Sequence, residues 1–171
     1  KDIERIIGDK KYAHLLLHNL EKEKKIFRLT KGFYSSFQDP VYAVFCFKPA
    51  YLGLYEALSL QNLWEQETNV VIITAKKVRT GIRKIFDSSV IIKRIEPKYM
   101  FGFEFIPYDE FHLPVSDLEK TLIDFYYFKE LSPKNIIRKL IKKADLKKLN
   151  NYLKNYPLLF QQKFKTYLNH L

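Results

Sequence analysis

Three charged residues of this sequence have the spacing with which restriction-type nucleases place a metal site. Asp87 precedes Glu96 and Lys98 in an acid…acid-x-lysine order, which would put two metal-binding carboxylates and a lysine on neighbouring strands. Pro97 interrupts the strand that should hold the pair, because proline is confined to strand edges and bulges. A solvated strand end is the favoured interpretation, and a metal-dependent nuclease is kept as the alternative.

A second acid and lysine, Glu119 and Lys120, would suit general acid-base chemistry. Ser116 and Glu119, however, form an S-x-x-E pattern before the apolar residues of a predicted helix. In such a capping box the two side chains bind the free amides at a helix start. We therefore predict a structural role here, with Ser116 as the N-cap.

The histidines and the single cysteine do not predict a metal site or a cofactor. Only His14 and His18 are spaced i, i+4, and no glutamate completes an H-E-x-x-H motif. Cys46 is the only cysteine, which excludes an internal disulfide and a cysteine zinc site. It lies among apolar residues, and we predict a small buried hydrophobic side chain.

Polar and basic side chains follow the outer face of a predicted leucine-rich helix, where they could contact DNA bases and phosphates. Asn19 can pair with adenine, the lysines with guanine or phosphate, and Tyr12 or Leu15 with a thymine methyl group. The alternative is a solvated face, with Leu15 covered by a second domain. The candidate DNA-binding residues of this helix are Lys10, Lys11, Tyr12, His14, His18, Asn19 and Lys22.

The stretch KKIFRLTKGFYS, from Lys24 to Ser35, predicts a two-stranded hairpin after this helix. Gly32 supplies the positive φ that a short hairpin loop needs. Arg28 and Lys31 can meet phosphates or a narrow minor groove. The alternative is that these charges protect an exposed strand edge from aggregation.

Composition favours a folded protein with a polyanionic partner. The 171 residues are 47% hydrophobic and 16% aromatic, which excludes a disordered chain. The net charge of +11 favours nucleic acid or an acidic protein surface as the partner. No apolar run approaches the ~20 residues of a membrane span, and no signal peptide is evident, so we expect a cytoplasmic protein without membrane contact.

The order of predicted elements indicates an α+β fold with two domains. Residues 1–37 read as helix, turn, helix and hairpin, the layout of a winged helix-turn-helix, whose usual preceding helix we expect before Lys1. Residues 38–171 read as a mixed α/β domain with a helical C-terminal third. Within it, the continuous Val and Ile run of NVVIITAKK predicts a central strand.

Three segments resemble the AbiEi family of antitoxins from type IV toxin-antitoxin systems. They are LLLHNLEKEKKIFRLTKGFYS, YLGLYEALSLQNLWEQETNVVIIT and FHLPVSDLEKTLIDFYYF. The resemblance implies a transcriptional regulator whose winged helix binds its own operator DNA and represses its own operon. It also implies a C-terminal domain that counteracts a nucleotidyltransferase toxin of the AbiEii type. Separately, no candidate catalytic group outweighs its structural alternative, so we expect no enzymatic activity.

A basic run in the C-terminal helices is a candidate for a second contact. Such a run is usually a solvated face, but its single sign of charge suits flanking DNA or an acidic partner. A protein-binding module without DNA binding is a third interpretation of the chain. The candidate residues of the basic run are Lys134, Arg138, Lys139, Lys142 and Lys143.

Overall fold

A computed structural model describes residues 2–130 and 134–170 of the chain. The fold is mixed α+β with a helical C-terminal region, which confirms the predicted class at that level. The helical patterns predicted from the sequence also included Pro133 and Leu171, which lie outside the described residues. Within the described part, no helix is long and apolar enough to cross a membrane.

Two helices joined by a tight turn open the chain. Helix α1 spans Asp2–Ile7 and α2 spans Lys10–Lys22. Gly8 has a φ of +76° in the turn, a conformation that costs glycine little. Asp9 caps α2, because its carboxylate accepts hydrogen bonds from the amides of Lys11 and Tyr12 at 2.7 and 3.1 Å.

A short antiparallel hairpin follows α2, as the sequence predicts. Strand β1 spans Phe27–Thr30 and β2 spans Phe33–Ser35. Gly32 lies in the connecting turn with a φ of +81°. Leu29 is buried in an apolar cluster shared with the sheet, so the hairpin is attached to the rest of the molecule.

A 3₁₀ helix, Pro40–Phe47, links the hairpin to the sheet. The sequence predicts a short helix here with Asp39 as its N-cap, and the Asp39 carboxylate does accept a hydrogen bond from the Val41 amide at 2.9 Å. Most of the 3₁₀ helix is buried, including Cys46, as predicted. Its apolar composition explains the burial, because it covers one face of the sheet.

Six strands form one mixed sheet in the order β5-β6-β4-β3-β8-β7. Strand β4 pairs parallel with β6 and antiparallel with β3, and all of its residues are buried. This confirms the predicted central strand. The strands are β3 Ala50–Leu52, β4 Val70–Thr74, β5 Gly81–Ile85, β6 Ser88–Arg94, β7 Phe103–Tyr108 and β8 Phe111–Ser116.

Apolar side chains on the two faces of the sheet belong to two separate clusters. Val70 and Ile72 face the 3₁₀ helix and the hairpin. Val71 and Ile73, which alternate with them, face the helices. The helices of this layer are α3 Leu54–Leu60, α4 Leu118–Tyr127, α5 Lys134–Lys143, α6 Leu146–Leu153 and α7 Leu158–Asn169.

Helix α3 is shorter than its apolar pattern predicts. It ends at Leu60, whereas the pattern continues to Leu63 and Trp64. Asn62 adopts a φ of +57°, and the amide of Leu63 donates to the carbonyl of Leu58 at 2.8 Å. This hydrogen bond closes a Schellman-type helix end, which a residue tolerant of the left-handed conformation permits. Leu63 and Trp64 still pack against the helical cluster.

The predicted capping box at the start of α4 is wrong. The N-cap is Asp117, whose carboxylate accepts a hydrogen bond from the Lys120 amide at 2.8 Å. Ser116 remains in strand β8 opposite Phe103, and its hydroxyl lies 2.7 Å from that of Thr121. Glu119 turns away and accepts a hydrogen bond from the Asp145 amide at 2.8 Å. Sheet pairing thus moves the helix start one residue along the chain.

Candidate nucleic-acid interface

The outer face of α2 is a continuous exposed surface of polar and basic side chains. Ala13, on the opposite face, is completely buried, which fixes the orientation of the helix. Tyr12 and Leu15 are each 55% exposed and add two apolar groups to the outer face. All seven residues predicted on this helix are exposed: Lys10, Lys11, Tyr12, His14, His18, Asn19 and Lys22.

Acidic side chains pair with two of the basic side chains on and beside this surface. The imidazole Nε2 of His14 lies 3.5 Å from the Glu4 carboxylate on α1. Beyond the end of α2, Lys25 pairs with Glu23 at 2.8 Å. The side chains best placed for an anionic ligand are therefore the lysines of the helix itself, which stand apart from these pairs.

The hairpin exposes the two cations that the sequence predicts as DNA-binding residues and buries one leucine. Arg28 and Lys31 are exposed, whereas Leu29 between them is 7% exposed. Arg28 and Leu29 differ because successive side chains of a strand point to opposite faces, and Lys31 is exposed in the turn that follows β1. Phe27 contacts Phe86 edge-to-face at 6.3 Å between ring centroids, which adds a second attachment to the body.

Helix α5 carries the second predicted basic surface. Ile137 and Leu140 are buried on its inner face. The side chains of Arg138, Lys139, Lys142 and Lys143 are exposed, and the helix contains no acidic residue. Lys134 is also exposed, but its ammonium group donates to the carbonyl of His170 at 3.2 Å and so ties α5 to the end of α7.

The exposed basic face of α5 does not extend through Lys148 of α6. Lys148 is half-buried among carboxylates, 3.0 Å from Asp117, 3.4 Å from Glu119 and 3.8 Å from Glu104. Burial acts to lower the pKa of Lys148, but the hydrogen bond and charge of Asp117 outweigh it and hold that pKa above its usual value. Lys148 therefore joins α6 to the start of α4 and does not extend the exposed basic face.

Sequence reasoning missed a buried polar cluster on α4. Lys120 and Asp124 have no exposed surface and form an ion pair. The hydroxyl of Tyr51 donates to Asp124 at 2.8 Å, and the Lys120 ammonium lies 3.3 Å from the hydroxyl oxygen of Tyr156. Burial lowers the pKa of Lys120 and raises that of Asp124. The i, i+4 spacing of a lysine and an aspartate on an apolar helix was the available signal.

The cluster joins strand β3, helix α4 and the segment before α7 around one charge pair. The Lys120 ammonium also lies over the rings of Tyr51 and Phe101, at 5.4 and 5.5 Å from their centroids. Gly102 has a φ of +69°, and a Cβ there would lie 2.9 Å from the Lys120 side chain. These contacts make the arrangement a structural support of the helical layer.

The two carboxylates of the candidate nuclease site, Asp87 and Glu96, are not brought together. Asp87 lies just before β6 and Glu96 just after it, so a strand about 20 Å long separates them. Glu96 pairs instead with Lys98 at 2.8 Å. Within residues 2–130 and 134–170, no group of three or more histidine, cysteine or acidic side chains could hold a metal ion.

Comparison with known proteins gives no assignment of the interface. No protein-family model matches the chain, and no curated protein matches it.

Proposed function

We propose that the protein is a transcriptional regulator that binds double-stranded DNA through α2 and the β1–β2 hairpin. The observation that carries this proposal is the arrangement of the nine candidate residues. Seven lie exposed on α2 and two lie exposed on the hairpin that follows it. A short turn joins α1 to α2, so helix, turn, helix and hairpin occur in the order of a winged helix-turn-helix.

In this function α2 acts as the recognition helix. An α-helix fits the major groove of B-DNA, where each base pair presents a distinct pattern of donors, acceptors and methyl groups. Asn19 suits adenine, the lysines suit guanine or phosphate, and the exposed Tyr12 suits a thymine methyl group. The capped start of α2 at Asp9 keeps the helix intact up to its first lysines.

The hairpin acts as the wing. Arg28 and Lys31 contact phosphates or the minor groove, which adds affinity without reading the base sequence. Leu29, buried between them, holds the hairpin against the sheet. The Lys25 amide, just before β1, donates to the Leu20 carbonyl of α2 at 2.9 Å, which supports a fixed distance between the wing and α2.

The finer part of the proposal is that the chain is the antitoxin of a type IV toxin-antitoxin pair. It rests on the resemblance of three segments to the AbiEi family. On that basis the protein represses its own operon, and its α+β body counteracts a nucleotidyltransferase toxin of the AbiEii type. The exposed basic face of α5 is the surface we assign to flanking DNA or to an acidic partner.

The DNA-binding proposal is tested with a labelled duplex from the region upstream of the gene and a shuffled duplex of the same composition. We expect tighter binding of the first, with affinity that falls steeply as salt rises, because cationic contacts release condensed counterions. Fluorescence anisotropy over a salt series measures both. Equal binding of the two duplexes would contradict sequence-specific regulation.

Substitutions then distinguish the contribution of the hairpin to DNA binding from that of α2. The double change Arg28→Ala and Lys31→Ala should weaken binding to both duplexes and reduce the salt slope by about 2. Asn19→Ala should instead reduce the preference for one base position. The matched control is Lys163→Ala with Lys165→Ala, which removes the same charge from exposed sites on α7. If the control lowers affinity as much as the hairpin variant does, the hairpin is not a wing.

The antitoxin proposal needs a separate test. The neighbouring gene is expressed with and without this chain, and growth is measured. Rescue of growth by the wild-type chain, and weaker rescue after Lys139→Glu, Lys142→Glu and Lys143→Glu, would support a role for the α5 face. A neighbour that is harmless when expressed alone would refute the toxin partner while leaving the DNA-binding proposal intact.

A further inference from the structure

A concave basic surface lies at the carboxyl ends of the parallel strands β4 and β6. Thr74 and Arg94, at the ends of the two strands, are register partners, and the loop after β4 returns over the same edge into β5. Two cavities of about 350 and 490 Å³ adjoin there and share Arg94 in their walls. Cavities of this size are typical of sites for small organic ligands, and open α/β sheets bind ligands at this edge.

Three of the cations lining these cavities have no anionic partner among the described residues. Lys77 lines the smaller cavity, Arg79 lines the larger one, and Arg94 lines both. All three are exposed, and none takes part in an ion pair within residues 2–130 and 134–170. Unpaired charges of one sign around the same surface favour a bound anion.

The remaining charged groups of the surface are already paired. Lys93, in the wall of the larger cavity, lies 2.6 Å from the Glu130 carboxylate. Glu96, an acidic residue in the wall of the smaller cavity, lies 2.8 Å from the Lys98 ammonium group. Lys76 points away and donates to the carbonyl of Cys46 at 3.3 Å. The three unpaired cations therefore determine the net charge of the two cavities.

Aromatic side chains also line these cavities. Tyr127 lines the smaller cavity and Phe128 lines the larger one, and both are half-buried at the end of α4. An aromatic wall beside a cluster of cations suits a ligand that joins a planar ring to phosphate groups. Arginine binds phosphate with two parallel hydrogen bonds, and aromatic rings stack on bases.

This surface is separate from the proposed DNA interface. The hairpin contacts the body at Phe86, just before β6, whereas Arg94 is the last residue of that strand. The length of β6, about 20 Å, lies between the two points. The three unpaired cations therefore lie at the end of β6 that is farther from this hairpin contact.

We infer that the cavities at the carboxyl ends of β4 and β6 form a binding site for a nucleoside phosphate. Arg94 lies at the centre and binds the phosphate groups together with Lys77 and Arg79. Tyr127 and Phe128 contact the base. Arg94 determines affinity most strongly, because among residues 2–130 and 134–170 it is the only cation that borders both cavities.

The test is isothermal titration of the whole chain with each of ATP, GTP, CTP and UTP, and with inorganic tripolyphosphate, at about 0.15 M salt. We expect saturable binding of at least one nucleotide, with an affinity at least about tenfold higher than that of tripolyphosphate. Equal affinity for nucleotide and tripolyphosphate would overturn the nucleoside part of the inference. Absence of saturable binding for all five probes would overturn the site.

Two variants with the same change in net charge distinguish a site from general attraction. Arg94→Glu should lower the affinity for the nucleotide by about tenfold or more, and Lys165→Glu on α7 should leave it unchanged. Arg94→Lys, which keeps the charge but loses the two parallel hydrogen bonds, should give an intermediate loss. Equal losses in Arg94→Glu and Lys165→Glu would overturn the inference. Both residues are exposed, so we expect each variant to fold, and melting temperatures check this.

Discussion

The N-terminal unit, residues 2–37, and the body, residues 38–130 and 134–170, are stabilised in different ways. Among the described residues of the N-terminal unit, only Ala13 and Leu29 are buried. The body buries two apolar clusters, one on each face of its sheet, and a lysine–aspartate pair within one of them. The N-terminal unit thus exposes most of its side chains, and the body supplies most of the buried surface.

This difference shows which substitutions should act on folding and which on binding. Apolar burial is the main favourable contribution to stability, so the N-terminal unit depends on its attachment to the body through Leu29. Its exposed polar residues are free to change with little loss of stability, since surface substitutions usually matter little. In the body, even polar residues such as Asp124 are structural.

The largest effect is expected from Asp124→Ala. The change leaves Lys120 buried without its partner, which typically costs about 3–5 kcal/mol. Chemical denaturation of the purified variant measures the loss. The double change Lys120→Met with Asp124→Leu is the control, because it removes both charges and should recover much of the stability. A loss below about 1 kcal/mol for the single variant would mean that the pair is not buried as described.

Leu29→Ala should have the next largest effect, confined to the N-terminal unit. Loss of buried leucine methyl groups costs about 2–5 kcal/mol, and we expect the lower end because the hairpin is at the surface. Hydrogen exchange should show faster exchange in the hairpin amides, with little change in β4. Phe33→Ala, at a 42% exposed position in the same hairpin, is the control and should change exchange little. Equal acceleration in β4 would show that the two regions unfold together.

The two helix caps provide a matched comparison of the regions. Asp9→Ala and Asp117→Ala each remove an N-cap, which costs about 0.5–2 kcal/mol. We expect Asp117→Ala to cost more, because Asp117 also accepts a hydrogen bond from Tyr152 at 2.7 Å and pairs with Lys148. Thermal denaturation of both variants measures the difference. If Ser116→Ala cost as much as Asp117→Ala, the assignment of the cap to Asp117 would be in doubt.

The smallest effect is expected from Glu56→Gln, and it should depend on pH. Burial raises the pKa of Glu56 despite a hydrogen bond from Thr68. The folded state therefore binds a proton at Glu56 more tightly than the unfolded state does. The stability that this protonation contributes is fully present below pH 4.5, the ordinary pKa, and is lost as pH rises through the pKa of the folded state. Glutamine carries no charge, so the variant should melt at a higher temperature than the wild type at neutral pH and at a similar temperature near pH 4. Glu65→Gln, at an exposed site, is the control.

Local sequence patterns predicted the elements well where one pattern dominated. The continuous Val and Ile run predicted β4, and Gly32 predicted the turn of the hairpin. Prediction failed where two residues could do the same task. Ser116 and Asp117 are both good N-caps, and the pairing of β8 with β7 selected Asp117.

The sequence by itself determined the α+β class, the exposed face of α2 and the positive charge, because periodicity, turn residues and composition are local properties. Only the tertiary structure decided that Lys120 and Asp124 form a buried pair and that Lys148 faces three carboxylates. It also brought Lys77, Arg79 and Arg94 to one edge of the sheet. The physical reason is that partners of a charge come from distant segments, and their distances depend on how strands and helices pack.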